Sequence, residues 1–366
     1  VRIDQYVPGF AKHDAIGNHS LQIRRLLRRS GIDSDIYAEW IDPRMAGEAR
    51  PYAESRPRPG DVALYHASTH SSMVEWFGSS AAGGVTVLSD YHNITPSSYF
   101  TRWEPAAAAS MDLARVELEQ LAPVVPLALA DSGFNEAELV TAGYTRTLTA
   151  SLLVDLDDYH RDPDPRALAR LRRQQDQGGA RWLFVGRVAP NKCQHDVIGA
   201  FAAYRRVFDP AAHLTLVGGA TSVRYLRALH QMVTTLDLGD SVSIEENVAF
   251  PELLAHFATT DAFVCLSEHE GFCVPVLEAM ELGVPVVAYA AAALPETMAG
   301  TGVLLDDKDP WTVACAVDGL LGDGDGDGDR RQRLVDAARH RAGELSLPVA
   351  SAHLLGALTG WLEENR

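Results

Sequence analysis

Short apolar runs alternate with amphipathic segments along almost the whole chain. Runs at 1–7, 35–38, 61–65, 85–88, 127–130 and 145–156 read as strands, the first broken by Pro8-Gly9. Between them, 18–29, 70–77 and the alanine-rich stretch 96–121 read as helices. A proline-broken polar stretch at 160–179, holding a short helix at 166–175, interrupts this rhythm. It then resumes, with strands at 182–185, 213–217, 241–246, 262–266 and 285–288 and helices at 194–207, 222–236, 251–258 and 276–282. Strands followed by helices in this way build parallel sheets with both faces covered, and the interruption divides them into two doubly wound α/β domains. The expected division is 1–160, 161–349 and a closing helical segment at 350–366.

One stretch organises the second domain: Ser267-Glu268-His269-Glu270-Gly271-Phe272-Cys273-Val274-Pro275, between a buried strand and a helix start. Backbone N–H groups at such a start lack intrahelical partners and lie at the positive end of the helix dipole, which favours an anion. Glu270 and Glu278 flank that seat. A carboxylate repels phosphate, so these two suit hydroxyl groups on either side of it, the pattern of a nucleotide sugar. Upstream, Gly186, Arg187 and Lys192 follow a buried strand and supply a guanidinium fork and a point charge suited to a diphosphate. Gly218-Gly219 ends the next strand, where backbone could lie close to a base or ribose.

In the first domain, Gly17 lies where a Rossmann-like turn enters its helix, but the GxGxxG fingerprint is missing, so a nicotinamide cofactor is not indicated. His66 and His92 each fall at a strand end, the edge of an open parallel sheet where ligands bind. Asp157, Asp158, Asp162 and Asp164 do not have calcium-loop spacing and read as a solvated linker. The repeated Gly-Asp run at 322–329 reads as a flexible acidic loop.

Composition narrows the function. The chain has 366 residues, 46% hydrophobic and 22% charged, enough for two ordinary domains. A net charge of −17 argues against nucleic acid as a partner and requires an anionic ligand to be attracted locally. Lysine occurs at 12, 192 and 308 alone, so Lys192 beside a glycine turn stands out. The four cysteines show no zinc spacing and fit a reducing cytoplasm. No run reaches the length of a membrane span, while Arg24, Arg25, Arg28 and Arg29 on one amphipathic helix would suit weak contact with an anionic membrane surface.

The pair R-x4-K (Arg187, Lys192) followed by E-x7-E (Glu270, Glu278) resembles the large retaining glycosyltransferase family four. The resemblance implies a GT-B fold: two Rossmann-like domains facing across a cleft, with a terminal helix returning to the first. It implies that Arg187 and Lys192 bind the donor diphosphate, that Glu270 holds hydroxyls of the donor sugar beside the amides of Gly271, Phe272, Cys273 and Val274, and that Glu278 binds the ribose. Gly17, Gly186, Gly218 and Asn247 fall at the donor-binding turns of that family. His92 matches its histidine lining the donor sugar, and His66, with Asp14, the acceptor side.

The expected activity is transfer of a hexose or amino-hexose from a nucleoside-diphosphate sugar, UDP by family frequency, to a hydroxyl acceptor in natural-product or polysaccharide assembly. Front-side displacement with retention, no cofactor and no metal, and a monomer or homodimer complete that expectation. A nucleotide-sugar epimerase, a GT-B phosphorylase and a non-catalytic nucleotide-sugar-binding subunit are the alternatives.

Overall fold

The computed structural model describes residues 2–11, 14–322 and 328–365, which fall into two compact units. Unit 1 takes in 1–101, 105–154 and 345–366, and unit 2 takes in 102–104 and 155–344.

Unit 1 carries β1 (Ile3–Phe10), α1 (Ala15–Arg29), β2 (Ile36–Ile41), β3 (Arg50–Pro51), β4 (Val62–Ala67), α2 (Met73–Ala82), β5 (Thr86–Tyr91), α3 (Pro105–Leu121), β6 (Ala128–Ala130), α4 (Gly133–Thr141) and β7 (Thr147–Thr149). Its seven strands are all parallel, in the order β3-β2-β1-β4-β5-β6-β7. Chain order reverses between β1 and β4, which opens a crevice beyond their C-terminal ends.

Unit 2 follows with α5 (Pro165–Gln175), β8 (Arg181–Val185), α6 (Gln194–Val207), β9 (His213–Val217), α7 (Val223–Thr235), β10 (Val242–Glu245), α8 (Phe250–Ala258), β11 (Ala262–Cys265), α9 (Val274–Glu281), β12 (Val286–Tyr289), α10 (Leu294–Met298), β13 (Val303–Leu305), α11 (Pro310–Leu321) and α12 (Gly328–Glu344). The sheet is again all parallel, β10-β9-β8-β11-β12-β13, with its reversal between β8 and β11.

The closing helix α13 (Leu347–Glu364) belongs to unit 1. Ala350, Leu354, Leu358, Trp361 and Leu362 pack into one core with Ile3, Ile23, Leu27, Val62, Leu64 and Leu88. Each large apolar side chain so buried is worth about 2 kcal/mol. The stretch 330–364 is long and apolar enough to cross a membrane by length and composition. Ala350, Leu354, Leu358, Trp361 and Leu362 of α13 are enclosed by the sheet and α1, while Val349 is exposed.

Several elements differ from the sequence expectation. β1 runs on through Pro8-Gly9 to Phe10, because beyond Tyr6 it bonds to β2 on one side and has left β4 on the other. A proline without an N–H is tolerated where a ladder is one-sided. β4 extends to Ala67, so His66 lies within the strand, paired in register with Asp90, and His92 directly follows β5. The stretch 145–156 supplies a three-residue strand and an irregular segment instead of a long strand. The helical stretch 96–121 splits into a short 3-10 turn and α3. Most of the Gly-Asp run lies outside the described residues.

Arg24 bonds to Glu48 and Arg28 to Asp35, while Arg25 and Arg29 stand exposed on α1. Half of the basic face is thus already paired within unit 1.

Candidate functional site

In unit 2 the reversal between β8 and β11 brings two loops side by side. The first leaves β8 through Gly186, which takes φ 154°, and reaches Arg187 and a 3-10 turn at Pro190–Lys192. Gly218, at the end of β9 with φ 150°, is packed against it so closely that a Cβ there would sit 2.0 Å from the Gly186 carbonyl oxygen. The second loop leaves β11 at Cys265 and enters α9 through Cys273, whose backbone is left-handed at φ 71°.

Asn191 joins the two loops. Its carboxamide Nδ2 donates to the His269 carbonyl at 3.0 Å, and its own carbonyl accepts from the Glu268 N–H at 3.0 Å. Lys192 Nζ then meets Glu270 Oε2 at 2.5 Å, with the two side chains 16% and 8% exposed. Gln194 Nε2 donates to the Arg187 carbonyl at 2.9 Å, while the Arg187 side chain itself is exposed. Lys308 clamps the outer side, bonding Asp196 Oδ2 and Glu268 Oε1 at 2.5 Å each. Sequence reasoning passed over Asn191 and Lys308. Residue type alone gave no signal for either.

The start of α9 is fixed from behind by Thr297, whose hydroxyl donates to the Phe272 carbonyl at 2.5 Å. Phe272 and Cys273 are buried, and the first amides of α9 lie before any i−4 carbonyl. Glu278, one turn on, is 6% exposed. Burial pushes its carboxyl up to about 7, against the opposing effect of the Tyr159 hydroxyl that donates to Oε1. Asn247 is exposed and left-handed at φ 58° after β10, where Glu246 accepts from the Ala220 N–H and Glu245 from His256. The structure therefore brings Arg187, Lys192, Glu270, Glu278 and the Gly271–Val274 turn to one sheet edge of unit 2, with Gly186 and Gly218 beneath.

In unit 1 the named residues form a different arrangement. Asp14 caps α1 by accepting from the Gly17 N–H at 3.0 Å. A Cβ on Gly17 would lie 2.9 Å from the Ala11 carbonyl, so this glycine makes room for the chain's own backbone. His66 and His92 do not line an open surface: their side chains are 0% and 1% exposed.

Their partners fix the protons. The Leu153 N–H donates to His19 Nδ1 at 2.8 Å, which leaves the His19 proton on Nε2, 3.0 Å from Asp90 Oδ2. Gln5 Nε2 donates to the Ser20 carbonyl, so Gln5 Oε1 accepts from His66 Nε2 at 3.0 Å and His66 Nδ1 keeps a lone pair. That lone pair faces His92 Nε2 at 2.8 Å, and His92 Nδ1 lies 3.0 Å from both Asp131 oxygens. Burial opposes charge on His92, but Asp131 and Asp90 outweigh it and push its pKa up to about 9.

Known proteins resemble this chain in sequence and in fold. Residues 169–341 match the family described as "Glycosyl transferases group 1". A D-inositol 3-phosphate glycosyltransferase of Geodermatophilus obscurus is 31% identical over 227 residues, 60% of this chain and 48% of that protein. A GDP-mannose-dependent alpha-(1-6)-phosphatidylinositol monomannoside mannosyltransferase of Mycobacterium tuberculosis is 29% identical over 317 residues, 81% of this chain and 70% of that one. The chain thus spans about half the length of the first relative and more of the second. Among solved structures, Anabaena HepE in complex with UDP-glucose superposes with a TM-score of 0.74 at 17% identity, over 98% of this chain and 100% of that one. Sucrose-phosphate synthase from Thermosynechococcus elongatus gives 0.77 at 18%, over 100% of both. These two likenesses show the GT-B fold. Residues 169–341, which hold the second of the two parallel sheets, thus carry a likeness to the group 1 glycosyl transferases, and the whole chain carries the fold.

Proposed function

We propose that this protein transfers a hexosyl group from a nucleoside-diphosphate sugar to a hydroxyl-bearing acceptor, with the diphosphate received at the α9 turn of unit 2. The observation that carries the reading is the meeting of Lys192 and Glu270 at 2.5 Å beside that turn. The bond between anomeric carbon and phosphate oxygen breaks with charge building on the diphosphate. Lys192, Arg187 and the α9 amides stabilise that charge more in the transition state than before it. Glu270, released from Lys192 when phosphate takes its place, accepts from sugar hydroxyls. Glu278 does the same for the ribose. His66 and His92, with their ring nitrogens committed inside unit 1, receive no part in the transfer. In this reading the reaction retains anomeric configuration by front-side displacement, because no carboxylate at the turn is left over as a covalent nucleophile.

For the donor, family frequency favours uridine, whereas the mannosyltransferase relatives carry GDP-mannose in their names. GDP-mannose is therefore the second reading. The test is a thermal-shift screen of the purified chain against UDP-glucose, UDP-N-acetylglucosamine and GDP-mannose, followed by product analysis with the labelled donor that binds. A ligand at 100 times its dissociation constant stabilises by about 2.7 kcal/mol. Sugar appearing on an acceptor supports transfer. Interconversion of the sugar nucleotide would support the epimerase alternative, and binding without turnover the non-catalytic one.

A further inference from the structure

The buried cluster of unit 1 carries more than the transfer reaction uses. Three atoms of metal-ligating type converge there: His66 Nδ1, His92 Nε2 and Asp90 Oδ2, separated by 2.8, 3.5 and 3.7 Å. A tetrahedral ion with bonds of ~2.0–2.1 Å to imidazole and carboxylate holds its donors roughly 3.3–3.4 Å apart, so the two histidine nitrogens must part by roughly half an ångström. Each of the three groups is held from behind by a partner on its other side. Asp131 accepts from His92 Nδ1, Gln5 accepts from His66 Nε2, and His19 donates to Asp90. Such outer partners set the tautomer and orientation of ligating groups. His19 itself cannot ligate, because its Nδ1 accepts from Leu153 and its Nε2 carries the proton.

Charge points the same way. Asp90 and Asp131 are 0% and 2% exposed. Two buried carboxylates thus face the cluster, and buried ions are costly unless matched. A dication matches the two in charge. Asp90 Oδ1, buried and without a hydrogen-bond partner, is a second oxygen available to an ion.

We infer that unit 1 binds one divalent transition-metal ion, zinc by its ligand types, on His66 Nδ1, His92 Nε2 and Asp90, with Asp131, Gln5 and His19 as the surrounding support. Binding ties β4 to β5. The site is closed, as structural zinc sites are, and it is independent of the donor site in unit 2.

The test is the metal content of the full chain, purified without a histidine tag and measured by mass spectrometry. A titration with Co2+ after metal removal and refolding accompanies it. About one zinc per chain is expected, with visible Co2+ bands of an imidazole–carboxylate site and no thiolate charge-transfer band. D90N and H66Q should each lower the metal content at least tenfold, while the C265S/C273S pair should keep it. A wild-type chain that holds no zinc and takes up neither Zn2+ nor Co2+ would overturn the inference, as would full metal content in D90N or H66Q. Should those two variants fail to fold, the wild-type stoichiometry and the Co2+ spectrum still decide.

Discussion

Lys192 and Glu270, 78 residues apart in sequence, meet at 2.5 Å in a site where neither side chain is more than 16% exposed. In the proposed reaction a diphosphate takes the ammonium away from that carboxylate. Glu270→Gln should therefore bind the free nucleoside diphosphate at least as tightly as the wild type while losing transfer, since it removes a repelling charge and a sugar contact together. Lys192→Ala should lose both, with turnover reduced by a factor of about 10²–10³. Isothermal titration with the nucleoside diphosphate, beside initial rates, separates these outcomes. Weakened nucleotide binding in E270Q would remove the competition just described.

Glu278 gives a pH dependence of definite sign. Its carboxyl, ordinarily at 4.5, is raised to about 7 by burial. The folded protein thus holds this proton more tightly than the unfolded chain does. The group supports folding fully below about pH 4.5 and withdraws that support as pH rises through about 7, a change of about 3 kcal/mol. Ribose hydroxyls favour the ionised form. Nucleotide binding should accordingly strengthen between about pH 5.5 and 7.5 and release a proton. Titration calorimetry in buffers of different ionisation enthalpy checks this, and an enthalpy independent of buffer would exclude Glu278 as the contact.

Tyr159 should tune that behaviour. Its hydroxyl donates to Glu278, and Tyr159→Phe leaves a buried carboxylate short of one donor. We expect a loss of about 1–3 kcal/mol in stability and a shift of the binding profile to higher pH. A profile unmoved in the variant would mean that the hydroxyl has no hold on the carboxylate.

Asn191 holds the two loops together, through bonds of 3.0 Å on each side of its residue. Asn191→Ala removes the side-chain bond to the His269 carbonyl. We expect about 1–3 kcal/mol lower stability in urea denaturation and a fall in kcat larger than any rise in KM, because the loops carry the groups that act on the leaving diphosphate. Leaving kcat intact would reduce Asn191 to a packing residue.

Gly218 allows no side chain. At φ 150°, with the Gly186 carbonyl 2.0 Å from where a Cβ would stand, Gly218→Ala must part the ends of β8 and β9. Left-handed strain alone costs roughly 1–3 kcal/mol, and thermal unfolding should show at least that loss, together with weaker nucleotide binding.

The second sheet was the most legible part of the sequence. Buried parallel strands such as β8 and β11 read as unbroken apolar runs, and the glycines and Pro275 mark where they turn. Pro8-Gly9 misled for the opposite reason: a local breaker was outvoted by one-sided pairing to β2, which sequence does not display. The helices α4, α10, α11 and α12 were not assigned, the first two being too short for a full apolar period. In the site, residues whose type implies chemistry stood out. Asn191 and Lys308 did not, because their work lies in contacts 78 and 112 residues away. His19, Asp90 and Asp131 were hidden similarly. Single polar residues within apolar strands say nothing of one another until strand register sets His66 beside Asp90.

The placement of α13 sets the order in which the chain can mature. Ile3, Ile23, Leu27, Val62 and Leu64 need Leu354, Leu358 and Trp361 to cover them, and those are made after the whole of unit 2. On the ribosome the earlier-made unit is therefore the later one to finish, carrying a bare greasy seam while the middle of the chain folds. It is that nascent seam, rather than the finished protein, that calls for a chaperone.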